Sequence, residues 1–114
     1  MRYSSIKSTR IAPLIYYNAS MAKLSDKQVK TRLIKAKGWA LNAAGEITKT
    51  YVLPGFPQSL MFASAVGVLA ESMQHHPDIT IKYDKVTLSL ITHDDGGISE
   101  KDFELAKQVD ALPV

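Results

Sequence analysis

From Leu24 onward the spacing of apolar positions switches between a helical period and a strand period, and each switch is marked by a cap or turn signal. Ser25-Asp26-Lys27-Gln28 has the form of a capping box, in which Ser25 accepts from a free backbone amide and Gln28 reaches back. Val29, Leu33 and Ala36 then fall on one face, Lys35 and Lys37 suit the negative end of the helix, and Gly38 can adopt the left-handed stop. Strand patterns follow over 39–42 and 47–53, joined by a turn at Ala43-Ala44-Gly45-Glu46. Pro54-Gly55-Phe56-Pro57 breaks the second strand, and Pro57 suits the first turn of a helix running from about Gln58 to Gln74. This stretch is apolar nearly all round, which predicts a buried helix with Met61, Phe62 and Met73 in the core and close backbone approach at Ala63 and Gly67.

Pro77 ends that helix. Two more strands are predicted over 79–83 and 86–93, turning at Asp84-Lys85. In the latter, Leu88 and Leu90 mark the core stripe and His93 projects from the opposite face. After the turn Asp94-Asp95-Gly96-Gly97, Ser99-Glu100-Lys101-Asp102 is a second capping pattern, leading to Phe103, Ala106, Val109 and Leu112. The order α-β-β-α-β-β-α with short turns predicts an α+β two-layer sandwich, a four-stranded antiparallel sheet with its helices on one face. Such a sheet has open edges, and Ile79, Ile81 and Ile91 add apolar surface, so a homodimer or homotetramer is expected.

Composition narrows the class. With 114 residues, 46% hydrophobic and 22% charged, the chain suits one compact domain, placed at 23–114 behind a tail at 1–22. The tail has Arg2, Lys7 and Arg10, several serines and no acidic residue through Ser20, the composition of a targeting segment. A cytoplasmic protein is expected, or a mitochondrial or other organellar one if the tail directs import. There is no cysteine, hence no disulfide, thiolate nucleophile or Cys-type zinc site. A net charge of +3 without basic clusters interleaved with aromatics gives no support to nucleic-acid binding, and no apolar run is long enough to cross a bilayer.

The chemistry gathers at His75, His76 and His93, all the histidines of the chain within nineteen residues. Histidine gives and takes protons near neutrality, so the cluster points to acid/base work or to a metal. Against a His-only metal site, adjacent His75 and His76 would point apart on a regular helix. Glu71 precedes His75 by four residues, so on a persisting helix its carboxylate would share a face with that ring and set its tautomer. Asp102 either joins the chemistry or only satisfies a helix amide. Trp39 either stacks on a ligand or seals the core, and Tyr83 reads as packing. No phosphate-binding glycine loop, Gly-x-Ser-x-Gly elbow or calcium loop is present.

Glu71, three residues, His75-His76-Pro77, five residues, Tyr83, nine residues, His93, eight residues and Asp102 reproduce the motif of the pterin-4a-carbinolamine dehydratases. Lys37-Gly38-Trp39, the hairpin from Tyr83 to His93 and Ser99 to Ala106 also resemble that family, and the similarity spans roughly Leu24 to Leu112. Gln74 stands where animal members commonly have Asp. The resemblance implies dehydration of 4a-hydroxytetrahydrobiopterin to the quinonoid dihydropterin and water, recycling the cofactor of aromatic amino-acid hydroxylases without a metal or cofactor. It implies catalytic roles for His75, His76, His93, Glu71 and Asp102, with His75 and His93 as acids and His76 holding the pterin and assisting proton removal. Gln74, Thr92 and Trp39 would join the histidines in binding substrate. The alternative it raises is a protein-interaction module, since animal relatives also act as dimerisation partners of a transcription factor.

The capping signal at Ser25 and the lack of periodic pattern before it predict that the tail is dispensable. A chain starting at Met21 is expected to keep its melting temperature and activity, and a loss of several degrees would show that the tail docks on the domain.

Overall fold

The computed structural model describes residues 23–114, so the expectations for the tail at 1–22 lie outside the described residues. The elements are α1 (Asp26–Lys35), β1 (Ala40–Leu41), β2 (Ile47–Val52), α2 (Phe56–Met73), β3 (Asp78–Lys82), β4 (Lys85–Leu90), a 3-10 turn (His93–Asp95) and α3 (Glu100–Asp110). The four strands form one antiparallel sheet in the order β1-β2-β4-β3. The α+β sandwich expected from the sequence is the fold observed.

Strand register sorts the side chains by face. Ile47, Lys49 and Tyr51 stand opposite Leu90, Leu88 and Val86, and Ile79 and Ile81 stand opposite Leu88 and Val86. These positions share the face that meets the helices, where Ile47, Val86, Leu88 and Leu90 are buried together with Phe62, Val66 and Ala70 of α2 and Leu105, Ala106 and Val109 of α3. The opposite face carries a hydroxyl row: Thr50 and Thr87 bond across the strands at 2.8 Å, and Thr48 donates to the Leu88 carbonyl at 2.8 Å. Hydroxyls need no cover, so one layer of helices suffices.

Both capping boxes form in full. Ser25 accepts from the Gln28 amide while the Gln28 side chain accepts from the Ser25 amide, and Ser99 and Asp102 repeat the arrangement at the start of α3. Gly38 has φ 88, as the stop after α1 requires, and a Cβ there would meet Lys49 Cε at 2.8 Å. The ion pair of Arg32 with Glu100 ties α1 to α3.

Several expectations are corrected. The fourth strand ends at Leu90, so His93 lies in the 3-10 turn, which Thr92 and Gly97 close by pairing their backbones. α2 is buried only along Ser59, Phe62, Val66 and Ala70; Met61 and Val68 are about seven-tenths exposed, and Phe56 and Leu60 nearly half. Met61 is therefore outside the core, and Gly67 has open space around its missing side chain rather than a neighbouring backbone. Ile81 and Ile91 pack against the core, whereas Ile79 is exposed. Tyr83 does not pack: it is exposed in the two-residue hairpin turn, with φ 50.

Trp39 is core, 5% exposed, with its ring edge against Tyr51. Its Nε1 donates to Asp110 Oδ2 at 2.9 Å, while Tyr51 Oη donates to Oδ1 at 2.5 Å and Lys49 Nζ approaches Oδ1 at 2.7 Å. A carboxylate at the last residue of a helix opposes the macrodipole, so these three donors are what make Asp110 favourable there. Burial pushes the Asp110 carboxyl up, but the hydrogen bonds from Lys49, Tyr51 and Trp39 outweigh it and hold the group below its ordinary range. Burial, followed by the Asp110 contact, keeps the Tyr51 hydroxyl protonated.

The sign of the resulting pH dependence follows from the depressed carboxyl. The stabilisation is complete above the unfolded-state value near 4 and is lost as pH falls through the lower folded-state value. Asp110→Ala is expected to cost about 1–2 kcal/mol at neutral pH, moderated by the partial exposure of the group. The gap between variant and wild-type melting curves should close below pH ~4. A gap that persists unchanged at pH ~2 would mean that lost packing, and not the charge, is responsible.

Candidate active site

The site begins where α2 ends. Gln74 adopts the left-handed conformation (φ 53, ψ 41), and the amides of Gln74 and His75 close the helix on the carbonyls of Glu71 and Ala70 at 3.1 and 3.0 Å. This C-cap turns the chain so sharply that the two following side chains part. His75 goes inward and is nearly buried, and its Nε2 meets Asp102 Oδ1 at 2.5 Å. His76 stays in solvent and folds back on α2, its Nε2 2.8 Å from Glu71 Oε1.

The expected pairing of Glu71 with His75 is thus replaced by Glu71 with His76. A spacing of four residues brings side chains together only while the helix continues, and the helix stops at Met73. The His76 hydrogen bond, with a smaller contribution from Gln74, holds the Glu71 carboxyl below its ordinary range.

Asp102 is fully buried at the third residue of α3. Its Oδ2 accepts from the Ser99 amide at 2.9 Å and from the Thr92 hydroxyl at 2.8 Å, leaving Oδ1 for His75. A buried carboxylate is tolerated only when its oxygens are satisfied, and here they are. The residue that caps α3 thus also holds a histidine.

A cavity of about 290 Å³ is lined by Gln74, His75, His76, Ile91, Thr92, His93, Asp94 and Lys101. It brings together the three histidines from the end of α2 and from the 3-10 turn. Its size is at the lower end of small-molecule sites, roughly 300–1,000 Å³. A second hollow of about 320 Å³ lies between α1, Leu41 and Gly96 to Ile98, lined by Lys23, Asp26, Lys30 and apolar groups. It contains no histidine, so the smaller cavity is the candidate site on chemical grounds.

Of the residues singled out from sequence, His75, His76, His93, Gln74 and Thr92 line this cavity; Glu71 and Asp102 stand behind two of the rings; Trp39 is elsewhere, bonded to Asp110. Asp94, Lys101 and Ile91 also line the cavity, although the sequence marked them only as turn, cap and apolar-surface positions. Ser99 was legible only as a helix cap. Among the described residues no group of three or more His, Asp or Glu is placed to hold a metal ion, since His75 and His76 turn to different carboxylates. No helix among the described residues is long and apolar enough to cross a membrane.

Comparison with known proteins places this geometry in a family. The family model described as pterin 4 alpha carbinolamine dehydratase matches residues 22–112. A protein of Roseiflexus sp. (strain RS-1) named "Putative pterin-4-alpha-carbinolamine dehydratase" is 49% identical over 90 residues, 79% of this chain and 96% of that protein. One of the same name from Sulfurisphaera tokodaii is 45% identical over 92 residues, 81% of this chain and 98% of that protein. Among solved structures, the transcriptional coactivator/pterin dehydratase from Brucella melitensis superimposes with a TM-score of 0.74 at 26% identity, covering 78% of this chain and 96% of its own. A match over nearly all the described residues, in sequence and in fold, means that the chain belongs to the pterin 4 alpha carbinolamine dehydratase family.

Proposed function

We propose that the chain dehydrates 4a-hydroxytetrahydrobiopterin, or a close pterin analogue, to the quinonoid dihydropterin and water, and so returns the pterin to the recycling of tetrahydrobiopterin. The observation that supports this most strongly is the convergence of three imidazoles on one cavity, with a carboxylate behind each of two of them. In the reaction the bond from carbon 4a to its hydroxyl oxygen breaks, that oxygen takes a proton and leaves as water, and N5 loses its proton as the double bond to carbon 4a forms. One protonated and one unprotonated group are required at the same pH.

His75 and His93 reach the cavity from opposite elements and serve the departing hydroxyl. His76, paired with Glu71 at the rim, holds the pterin and assists removal of the N5 proton. Gln74 lies beside them, its amide nitrogen tied to the Glu71 carbonyl at 2.9 Å. Its side-chain oxygen is left to meet a donor on the ring. Trp39 has no part, because its ring is in the core.

The purified chain should convert 4a-hydroxytetrahydropterin in the presence of a chelator. Replacing His75 or His93 with Ala should lower turnover by roughly 10²- to 10⁴-fold with the fold intact. The double replacement should cost far more than either, while His76→Ala should chiefly raise KM. Near-normal dehydration by the double variant would reject the assignment.

A second reading, an interaction module, is supported by the exposed apolar stripe of α2 at Phe56, Leu60, Met61 and Val68, and by the open edge of β3. A second copy of the chain would cover both, as a homodimer or homotetramer. Light scattering should return a multiple of the 12.6 kDa chain mass, and Met61→Glu with Val68→Glu should lower it. A monomer at micromolar concentration would end the expectation of self-association.

A further inference from the structure

Behind His75 lies a run of hydrogen bonds whose direction can be worked out. The Lys101 amide donates to Ser99 Oγ at 3.2 Å, Ser99 Oγ is 2.7 Å from Thr92 Oγ1, and Thr92 Oγ1 is 2.8 Å from Asp102 Oδ2. An ionised carboxylate only accepts, so the one hydroxyl hydrogen of Thr92 goes to Asp102. The contact between the two hydroxyls then has one possible sense, with Ser99 donating to Thr92. The Ser99 amide adds a further donor to Oδ2. The hydrogens therefore run in one sense, through Ser99 and Thr92 to Asp102, and a carboxylate that only accepts leaves the His75 contact at Oδ1 to be made by a hydrogen on Nε2.

A neutral imidazole with its hydrogen on Nε2 has its lone pair on Nδ1. Nδ1 has no hydrogen-bond partner, yet the one buried side-chain nitrogen or oxygen without a partner among the described residues is Asp95 Oδ2. Nδ1 is therefore open, and His75 lines the cavity. Thr92 is 5% exposed and Ser99 fully buried, each with its hydroxyl committed inside the cluster.

We infer that Thr92 and Ser99 are positioning residues that act through Asp102 to lock His75 in the Nε2–H tautomer, so that Nδ1 is the atom that takes up a proton from solvent and delivers it to the departing hydroxyl. Thr92 is thereby moved from substrate binding to support of the ring. Fixing a tautomer through a neighbouring acceptor is the general use of such outer groups. The kinetic part of this inference rests on the dehydratase reading, whereas the tautomer stands without it.

The test is nitrogen-15 NMR of the histidine-labelled full chain together with dehydration kinetics. The wild type should show the His75 hydrogen on Nε2 and a bare Nδ1. Thr92→Val, which keeps shape and removes the hydroxyl, and Ser99→Ala, which unties Thr92, leave Oδ2 a donor short and the carboxylate free to turn away from the ring, and should give mixed tautomers. In both, kcat should fall by roughly 10- to 100-fold with KM unchanged. Thr92→Ser, which retains the hydroxyl, should recover the wild-type tautomer and rate, an outcome that general destabilisation would not produce.

A wild-type His75 with its hydrogen on Nδ1 overturns the inference even if every variant fails to fold. So does a folded Thr92→Val chain with unchanged tautomer and kcat. A wild type that shows the expected tautomer but does not dehydrate the pterin rejects the functional reading and leaves the lock standing.

Discussion

A carboxylate buried without water must be met by hydrogen-bond donors, and meeting that demand at Asp102 joins three parts of the chain. Ser99 supplies its amide from the start of α3, Thr92 its hydroxyl from just beyond β4, and His75 its ring from just beyond α2. If any of them moved, an oxygen of a fully buried acid would lose a donor, so the relative placement of α2, α3 and the end of β4 is tightly specified. The same three elements also share the core, α2 through Ala70, β4 through Leu90 and α3 through Leu105.

The left-handed Gln74 uses that placement to put two adjacent histidines in different surroundings. His75 is held against an acid with no exposure to water, and His76 against Glu71 in solvent. The two adjacent rings therefore meet the cavity braced differently, one by a buried acid and the other by an exposed one. The fold thus separates by burial and backbone turn what adjacency in the chain would otherwise make alike.

How much of this was legible depended on range. Local signals read well: Ser25 with Gln28 and Ser99 with Asp102 were visible as capping boxes, and the alternation through Val86, Leu88 and Leu90 gave the core face, because these patterns depend on backbone geometry alone. Signals that required knowing where an element stops did not. His93 continued the strand alternation in sequence, but backbone pairing of Thr92 with Gly97 takes it into a turn. Glu71 was assigned to His75 through a helix that stops two residues too early. Met61 and Val68 look like core in a stretch apolar on every side, and only the neighbours reveal which side is covered. Trp39 required a partner, Asp110, at the far end of the chain. The convergence of the histidines was anticipated by spacing and family resemblance together, but the clamp of Thr92 and Ser99 was not, since hydroxyl contacts leave no periodic trace.

The claim at the centre is that Asp102 contributes to catalysis through the ring of His75. A double-mutant cycle on dehydration turnover tests it directly, using Asp102→Asn and His75→Ala singly and combined. If Asp102 works through that ring, the double variant should turn over no more slowly than His75→Ala alone, since the imidazole it serves is already gone. Losses that multiply in the double variant would show that Asp102 and His75 act independently and would contradict the account.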